Sequence, residues 1–184
     1  NTSCGFVGNP DYLEKYKGTP TERLKSLINN EPLLKDRFQN ADMIFEPLMI
    51  SAYSISVKQL HGPGYVLTGN STEFLDPIFS AGVTFATESG ILAGKLASKQ
   101  LKGEKIDWDL EYSVPILNGI EVFRTYIDAW YDGSLHKIFF SDIIDEKVKK
   151  QICSVLAGYV WDKKNPFVTR HKQSVRNLAK LFSE

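Results

Sequence analysis

Asp76, Pro77, Ser80, Ala81, Gly82 and Val83 are the residues of this 184-residue chain whose types and spacing best suit chemistry. Pro77 stiffens the backbone and disfavours a helical conformation at Asp76. Ser80 is placed to cap a following helix, and Gly82 has no Cβ, so a planar ring could press against its peptide plane. The amides of Ala81, Gly82 and Val83 would be first-turn donors without intrahelical partners, at the positive end of a helix. Such donors suit a negatively charged group. A phosphate, the N1–O2 edge of a reduced flavin and a chloride ion all meet that description. The alternative is a capped helix after a loop, with no ligand at all.

The elements around these residues must position them. His61-Gly62-Pro63-Gly64 reads as a tight turn feeding an apolar strand, Tyr65 to Leu67, which runs into Gly69 and a polar turn. From Val83 to Leu101 the pattern is helical, with Ala86, Gly90, Ala93 and Ala97 at spacings of three and four on one face. A face of small residues allows close approach to a sheet or a ligand.

Upstream, Cys4 to Val7 predicts a short strand, Leu33 to Gln39 a short helix, and Met43 to Val57 one or two strands. Thr19-Pro20-Thr21-Glu22 is a capping box with proline at the first helical position. Downstream, Asp107 or Asp109 should cap a long helix from Leu110 to Tyr131, with Pro115 in its first turns. Leu135 to Phe140 is a short aromatic segment. Asp145 should start a helix through Tyr159, and a last helix should cover Lys172 to Phe182. Asp142, Asp145 and Glu146 are most simply helix-start acids. The Phe123, Tyr126, Trp130 and Tyr131 face has helical spacing, which favours core over a substrate wall. The fold class is α+β: a few β-strands followed by a mostly helical C-terminal region.

Composition narrows the function classes. Lys plus Arg (22) equals Asp plus Glu (22), which argues against a broad nucleic-acid footprint. A local positive cluster is still present at Lys163-Lys164 and Arg170-His171-Lys172, read as a solvated surface. Cys4 and Cys153 make no disulfide framework or metal spacing, so a reducing cytoplasmic compartment is expected. No run of about 18 apolar residues suggests a spanning helix. His61, His136 and His171 have no paired ligand spacing, so no metal is expected. There is no nucleophile elbow. The opening Asn1-Thr2-Ser3-Cys4-Gly5-Phe6-Val7-Gly8 reads like mid-strand, as expected of a fragment.

Two segments carry a family resemblance. Gly64-Tyr65-Val66-Leu67-Thr68-Gly69-Asn70 and Asp76-Pro77-Ile78-Phe79-Ser80-Ala81-Gly82-Val83 resemble the second flavin-contacting motif of FAD-dependent monooxygenases and halogenases, roughly G-x-V-L-x-G-D-A-A then D-P-x-x-S-x-G. Phe74-Leu75-Asp76-Pro77-Ile78-Phe79-Ser80-Ala81-Gly82-Val83 is similar to F-V-D-P-V-F-S-S-G-V of the phenol and pyrrole halogenases. Tyr53-Ser54, and Ser3 to Val7 with Asp11-Tyr12, also resemble that group.

The resemblance implies a fragment of a two-part FAD/NAD(P)-binding fold. Residues 1–63 would belong to a substrate-side sheet with short helices, 64–101 would be the second FAD-contacting strand, loop and helix, and 102–184 a helical region. Gly69, Asn70, Asp76, Pro77, Ala81, Gly82 and Val83 would then contact FAD. Asn70 would lie by the ribityl or pyrophosphate, Pro77 by the isoalloxazine, and the amides of Ala81, Gly82 and Val83 by the pyrimidine edge, those of Ala81 and Gly82 also facing a chloride. Ser80 would sit close to the reaction chamber.

Implied partners are a flavin reductase supplying reduced FAD and a small aromatic or carrier-protein-bound substrate. Departures are Asn70 where the family has Asp, and Ser71-Thr72 in place of alanines. Phe79 stands where tryptophan halogenases carry Glu, which points away from tryptophan. The first G-x-G-x-x-G signature, the tryptophan-containing motif and the catalytic lysine are not in these residues. The chain alone is therefore expected to bind FAD weakly and to be inactive, and a non-catalytic ligand-binding module derived from the same fold is the alternative.

Overall fold

The computed structural model describes residues 2–141 and 143–182; Asp142, expected as a helix-start acid, lies outside them. The chain divides into two compact units, 1–52 and 53–184.

The first unit holds α1 (Pro10–Leu13), α2 (Pro20–Asn30) and α3 (Pro32–Phe38). The capping box forms as the sequence dictates: Thr19 Oγ1 accepts from the Glu22 amide, and the Glu22 carboxylate accepts from the Thr19 amide. Arg23 fastens α2 to the end of α1 by donating to the Leu13 carbonyl at 2.8 Å. The strand expected at Cys4 to Val7 does not form, and residues 43–52 hold no strand either. A strand needs a ladder partner, and none is present in this unit among the described residues. Ile44, Phe45, Leu48 and Ile50 stand exposed as a result.

The second unit has two small antiparallel pairs. β1 (Ile55–Ser56) pairs with β4 (Glu73–Phe74), and β2 (His61–Gly62) pairs with β3 (Tyr65–Val66). The β2–β3 turn works because Gly64 takes φ +82° after Pro63, a sign that costs any other residue strain. Within residues 1–63 the described strands are β1, which falls in the strand-prone Met43 to Val57 stretch, and β2.

Helices follow: α4 (Gly82–Leu101), α5 (Val114–Tyr131), α6 (Ser134–Phe139), α7 (Glu146–Leu156), α8 (Pro166–Thr169) and α9 (His171–Leu181). The α+β class holds, with the helical part dominant. The expected helix from Leu110 to Tyr131 is two pieces, a π-turn over Asp109–Ser113 and then α5. Pro115 is the cause: its ring would clash with the carbonyl four residues back, and it has no N–H to give. Asp107 supplies the cap, accepting from the Leu110 amide at 3.0 Å. The short aromatic segment that starts at Leu135 folds as α6, which lays Leu135 and Ile138 inward.

The core gathers on α5. Ile116, Ile120, Phe123, Tyr126 and Ile127 recur at helical spacing and are buried. Burying a side chain like Phe123 contributes about 1.5–3 kcal/mol. Phe123 meets Phe85 of α4 edge-on, and Phe85 meets Trp161. Trp161 donates to the Pro115 carbonyl and lies where a side chain at Gly119 would be, so only glycine fits there. Tyr126 reaches across to the Phe167 carbonyl at 2.8 Å.

His171 joins α9 to α5. Thr125 gives its hydroxyl proton to the Glu121 carbonyl, which leaves His171 Nδ1 to donate to Thr125 Oγ1 at 2.7 Å. Burial, with Lys172 alongside, holds the imidazole pKa below its usual 6.5, against a smaller opposing pull from Glu121. The unfolded chain therefore binds this proton more readily than the folded one. The stability His171 contributes is complete above pH 6.5 and is lost as pH falls from there through the lower folded-state pKa. Urea midpoints between pH 7.5 and pH 5 should decline with acid, and His171→Gln should flatten that decline; an unchanged slope would remove His171 from the account.

Candidate functional site

The site is built where strand β3 gives way to a loop. The Leu67 carbonyl accepts a hydrogen bond from the Tyr112 hydroxyl, fixing the strand end. Gly69 then takes φ +58° and opens a 3-10 turn, Gly69–Ser71. Its amide donates to Ser89 Oγ at 2.8 Å, and its carbonyl accepts from Thr72 Oγ1 at 2.7 Å. Ser89 passes its own proton to the Phe85 carbonyl. Thr72 and Ser89 are both buried, so every polar group in this stitch is satisfied where water cannot reach. A Cβ on Gly69 would lie 3.2 Å from Ala86 Cβ, and the loop rests on α4 because it is absent.

A second turn, Pro77–Phe79, follows β4. Asp76 caps it: Oδ1 accepts from the Ile78 amide at 2.8 Å. The other oxygen accepts from Tyr131 at 3.0 Å and from Tyr53 at 3.4 Å. Burial raises the pKa of both phenols, and the Asp76 carboxylate adds to that shift, so they stay protonated donors. Glu73, just upstream, is buried against Arg124 of α5 at 2.6 Å. Burial pushes its pKa up, against the pull of the guanidinium. Phe79 stands edge-on to Trp130, and Trp130 in turn to His136.

Ser80 differs from expectation. It takes φ +53° and closes the Pro77–Phe79 turn, its amide bonded to the Pro77 carbonyl, and so cannot cap α4. Ala81 occupies the N-cap, and no side chain caps the helix. The first-turn amides from Gly82 onward therefore keep their donors. Gly82 and Val83 are exposed, as are Asn70, Pro77 and Ser80, while Ala81 is buried. A Cβ on Gly82 would sit 3.4 Å from Asn70 Oδ1. The fold thus brings Asn70 of one turn against the start of α4, with Asp76 and Pro77 leading into it.

Chemically, this is an open shelf of backbone donors at a positive helix end, flanked by a carboxamide. It can hold a flat group with an electron-rich edge. Among the described residues no base hydrogen-bonds the Ser80 hydroxyl. The three histidines are engaged elsewhere: His61 with Asp109, His136 with Trp130, His171 with Thr125.

The sequence pattern did not reveal Thr72, Ser89 or the pairing of Tyr131 with Asp76. Two hydroxyl residues flanking a positive-φ glycine and a small-residue helix were the available signal for the first two. The inward face of α4 is Phe85, Ser89, Ala93 and Leu96; of the expected small-residue face, Ala93 is buried there, Ala86 meets the Gly69 loop, and Gly90 is exposed.

Comparison with known proteins adds a family. No family model matches the chain. It is 33% identical over 107 residues to the 1H-pyrrole-2-carbonyl-[peptidyl-carrier protein] brominase of Pseudoalteromonas luteoviolacea, covering 58% of this chain and 26% of that protein. It is 30% identical over 165 residues to the corresponding chlorinase of Pseudomonas fluorescens, covering 89% of this chain and 36% of that protein. A crystal structure of a flavoprotein/dehydrogenase from Cytophaga hutchinsonii superposes with a TM-score of 0.90 at 50% identity, over 95% of this chain and 43% of that one. This chain is a relative of the flavin-dependent halogenases. It carries part of a flavoprotein fold and spans about a quarter to a little over a third of the two curated relatives' length.

Gly69→Ala should expose the stitch directly. It adds a Cβ against Ala86 and places alanine at positive φ, so it should cost about 1–3 kcal/mol in chemical denaturation. It should also speed hydrogen exchange at Thr72, whose amide bonds the Gly69 carbonyl. Unchanged stability and exchange would contradict the close approach.

Proposed function

We propose that this chain forms the flavin- and substrate-proximal part of an FAD-dependent oxidoreductase that uses reduced FAD and O2 to halogenate or oxygenate a small aromatic or carrier-bound substrate. The observation that carries the reading is the uncapped start of α4 beside Asn70, at the end of the Asp76-Pro77 loop. The related flavoprotein and halogenases supply the chemistry with which that geometry is compatible.

These residues fit FAD. The shelf has no Cβ at Gly82 and keeps its amide donors, as a ring edge requires. When bound, the flavin would supply the oxidising chemistry with O2. Everything else falls to the protein. Gly82 and Val83 would hold the pyrimidine edge or a halide, with Ala81 behind them. Asn70 would orient the ribityl side through neutral hydrogen bonds, where the related motif has a charge. Pro77 would lie against the ring, and Gly69 would keep the loop close. Asp76, held by Tyr53 and Tyr131, would fix the loop, and Ser80 would edge the reaction chamber. Phe79 and Trp130 would shield one side from water. A flavin reductase would supply the reduced cofactor.

Anaerobic titration of the full-length protein with reduced FAD tests this. Gly82→Ala leaves ordinary van der Waals room at Asn70, so stability should hold within about 0.5 kcal/mol. Flavin affinity should fall about tenfold, equivalent to about 1.4 kcal/mol. No flavin signal with the unmutated protein, or equal affinity in the variant, would overturn the assignment. Binding without product formation from any aromatic or carrier-bound substrate would favour the non-catalytic module.

A further inference from the structure

The charge of this chain is unevenly spread. It is neutral as a whole, yet residues 145–180 hold nine lysines and arginines against three acids. Part of that excess lines one open trough of about 540 Å³ between α7 and the start of α8. On α7, Lys147, Lys150, Gln151 and Ser154 fall at spacings of three and four, on a face that flanks the inward Val148, Ile152 and Val155. Lys164 closes the other side.

The floor of the trough is rigid. Asn165 is 3% exposed, donates to the Gln151 carbonyl at 2.9 Å, and accepts from the Phe167 amide at 2.9 Å. The lysines above it are weakly engaged. Lys150 lies 3.8 Å from Glu146 on the open surface, and Lys147 and Lys164 make no ion pair among the described residues. Asp162 is the one carboxylate lining the trough, and its Oδ1 accepts from the Lys164 amide.

We infer that this trough is a docking surface for the acidic face of a carrier protein that presents the substrate. The inference rests on the proposed function and names its partner surface. Its lining contains no aromatic platform for stacked bases and no apolar residue to enter a bilayer. Three cations on a fixed polar floor suit a folded, anionic partner that binds transiently. In such contacts charge complementarity sets encounter rate and register more than lasting affinity.

The test uses the full-length protein and its charge-reversed variant Lys147→Glu/Lys150→Glu/Lys164→Glu. The probe is a fluorescein-labelled, phosphopantetheinylated peptidyl carrier protein, followed by anisotropy. Binding should weaken at least tenfold on charge reversal and also between 50 and 300 mM salt, while reduced-FAD affinity stays unchanged. Equal carrier affinity in the two proteins, or no carrier binding, would overturn the docking surface. So would tighter binding of a 20-mer single-stranded DNA or of phosphatidylglycerol vesicles. If the unmutated protein binds carrier but gives no flavin signal, the proposed function fails; if it binds flavin and the carrier result is flat, only the docking surface fails.

Discussion

The site depends on the close approach of one backbone segment to one helix. Gly69 lies against Ala86 with no Cβ between them, and its two backbone groups are taken by Ser89 and Thr72. An unmet amide at this depth would cost about 1–3 kcal/mol, so the Ser89 hydroxyl is as necessary as the missing Cβ. Replacing the Ser89 hydroxyl would leave the Gly69 amide unsatisfied, whereas the Gly69 carbonyl would keep the Thr72 amide. The geometry of Asn70 and of the α4 start follows from that seat.

Two further ties carry the same loop to α5. Asp76 gathers Tyr131, Tyr53 and its own Ile78 amide, and Glu73 is matched to Arg124. The second tie is a buried carboxylate whose pKa is raised despite its cation, so it is better read as fixing register than as a large source of stability. Because α5 is the helix on which the core gathers, the Asp76-Pro77 turn inherits the rigidity of the core. A shelf of backbone donors is useful only if it is held before the ligand arrives.

Local chemistry made part of this legible in the sequence. The Thr19 capping box, the Pro63-Gly64 turn, the non-helical Asp76 before Pro77 and the helix beyond Gly82 each follow from residues within a few positions of one another. The rest depends on partners distant along the chain. Nothing near Asp76 announces Tyr131, and nothing near Gly69 announces Ser89. Ser80 reads as an N-cap by type, yet the tight turn from Pro77 forces it to positive φ and passes the cap to Ala81. The apolar residues from Met43 to Ile50 read as strand by composition, but a strand is a property of its partner as well. The small-residue stripe of α4 admits the close approach of Gly69 at Ala86, while Phe85 and Leu96 join Ala93 on the buried face.

The central claim is that the α4 start and Asn70 hold the edge of a flavin. A crystal structure of the full-length protein with FAD tests it most directly. The pyrimidine edge should lie within hydrogen-bond distance of the Gly82 and Val83 amides, with Pro77 against the ring. A flavin bound away from these residues, or an α4 start capped by another part of the protein, would contradict it.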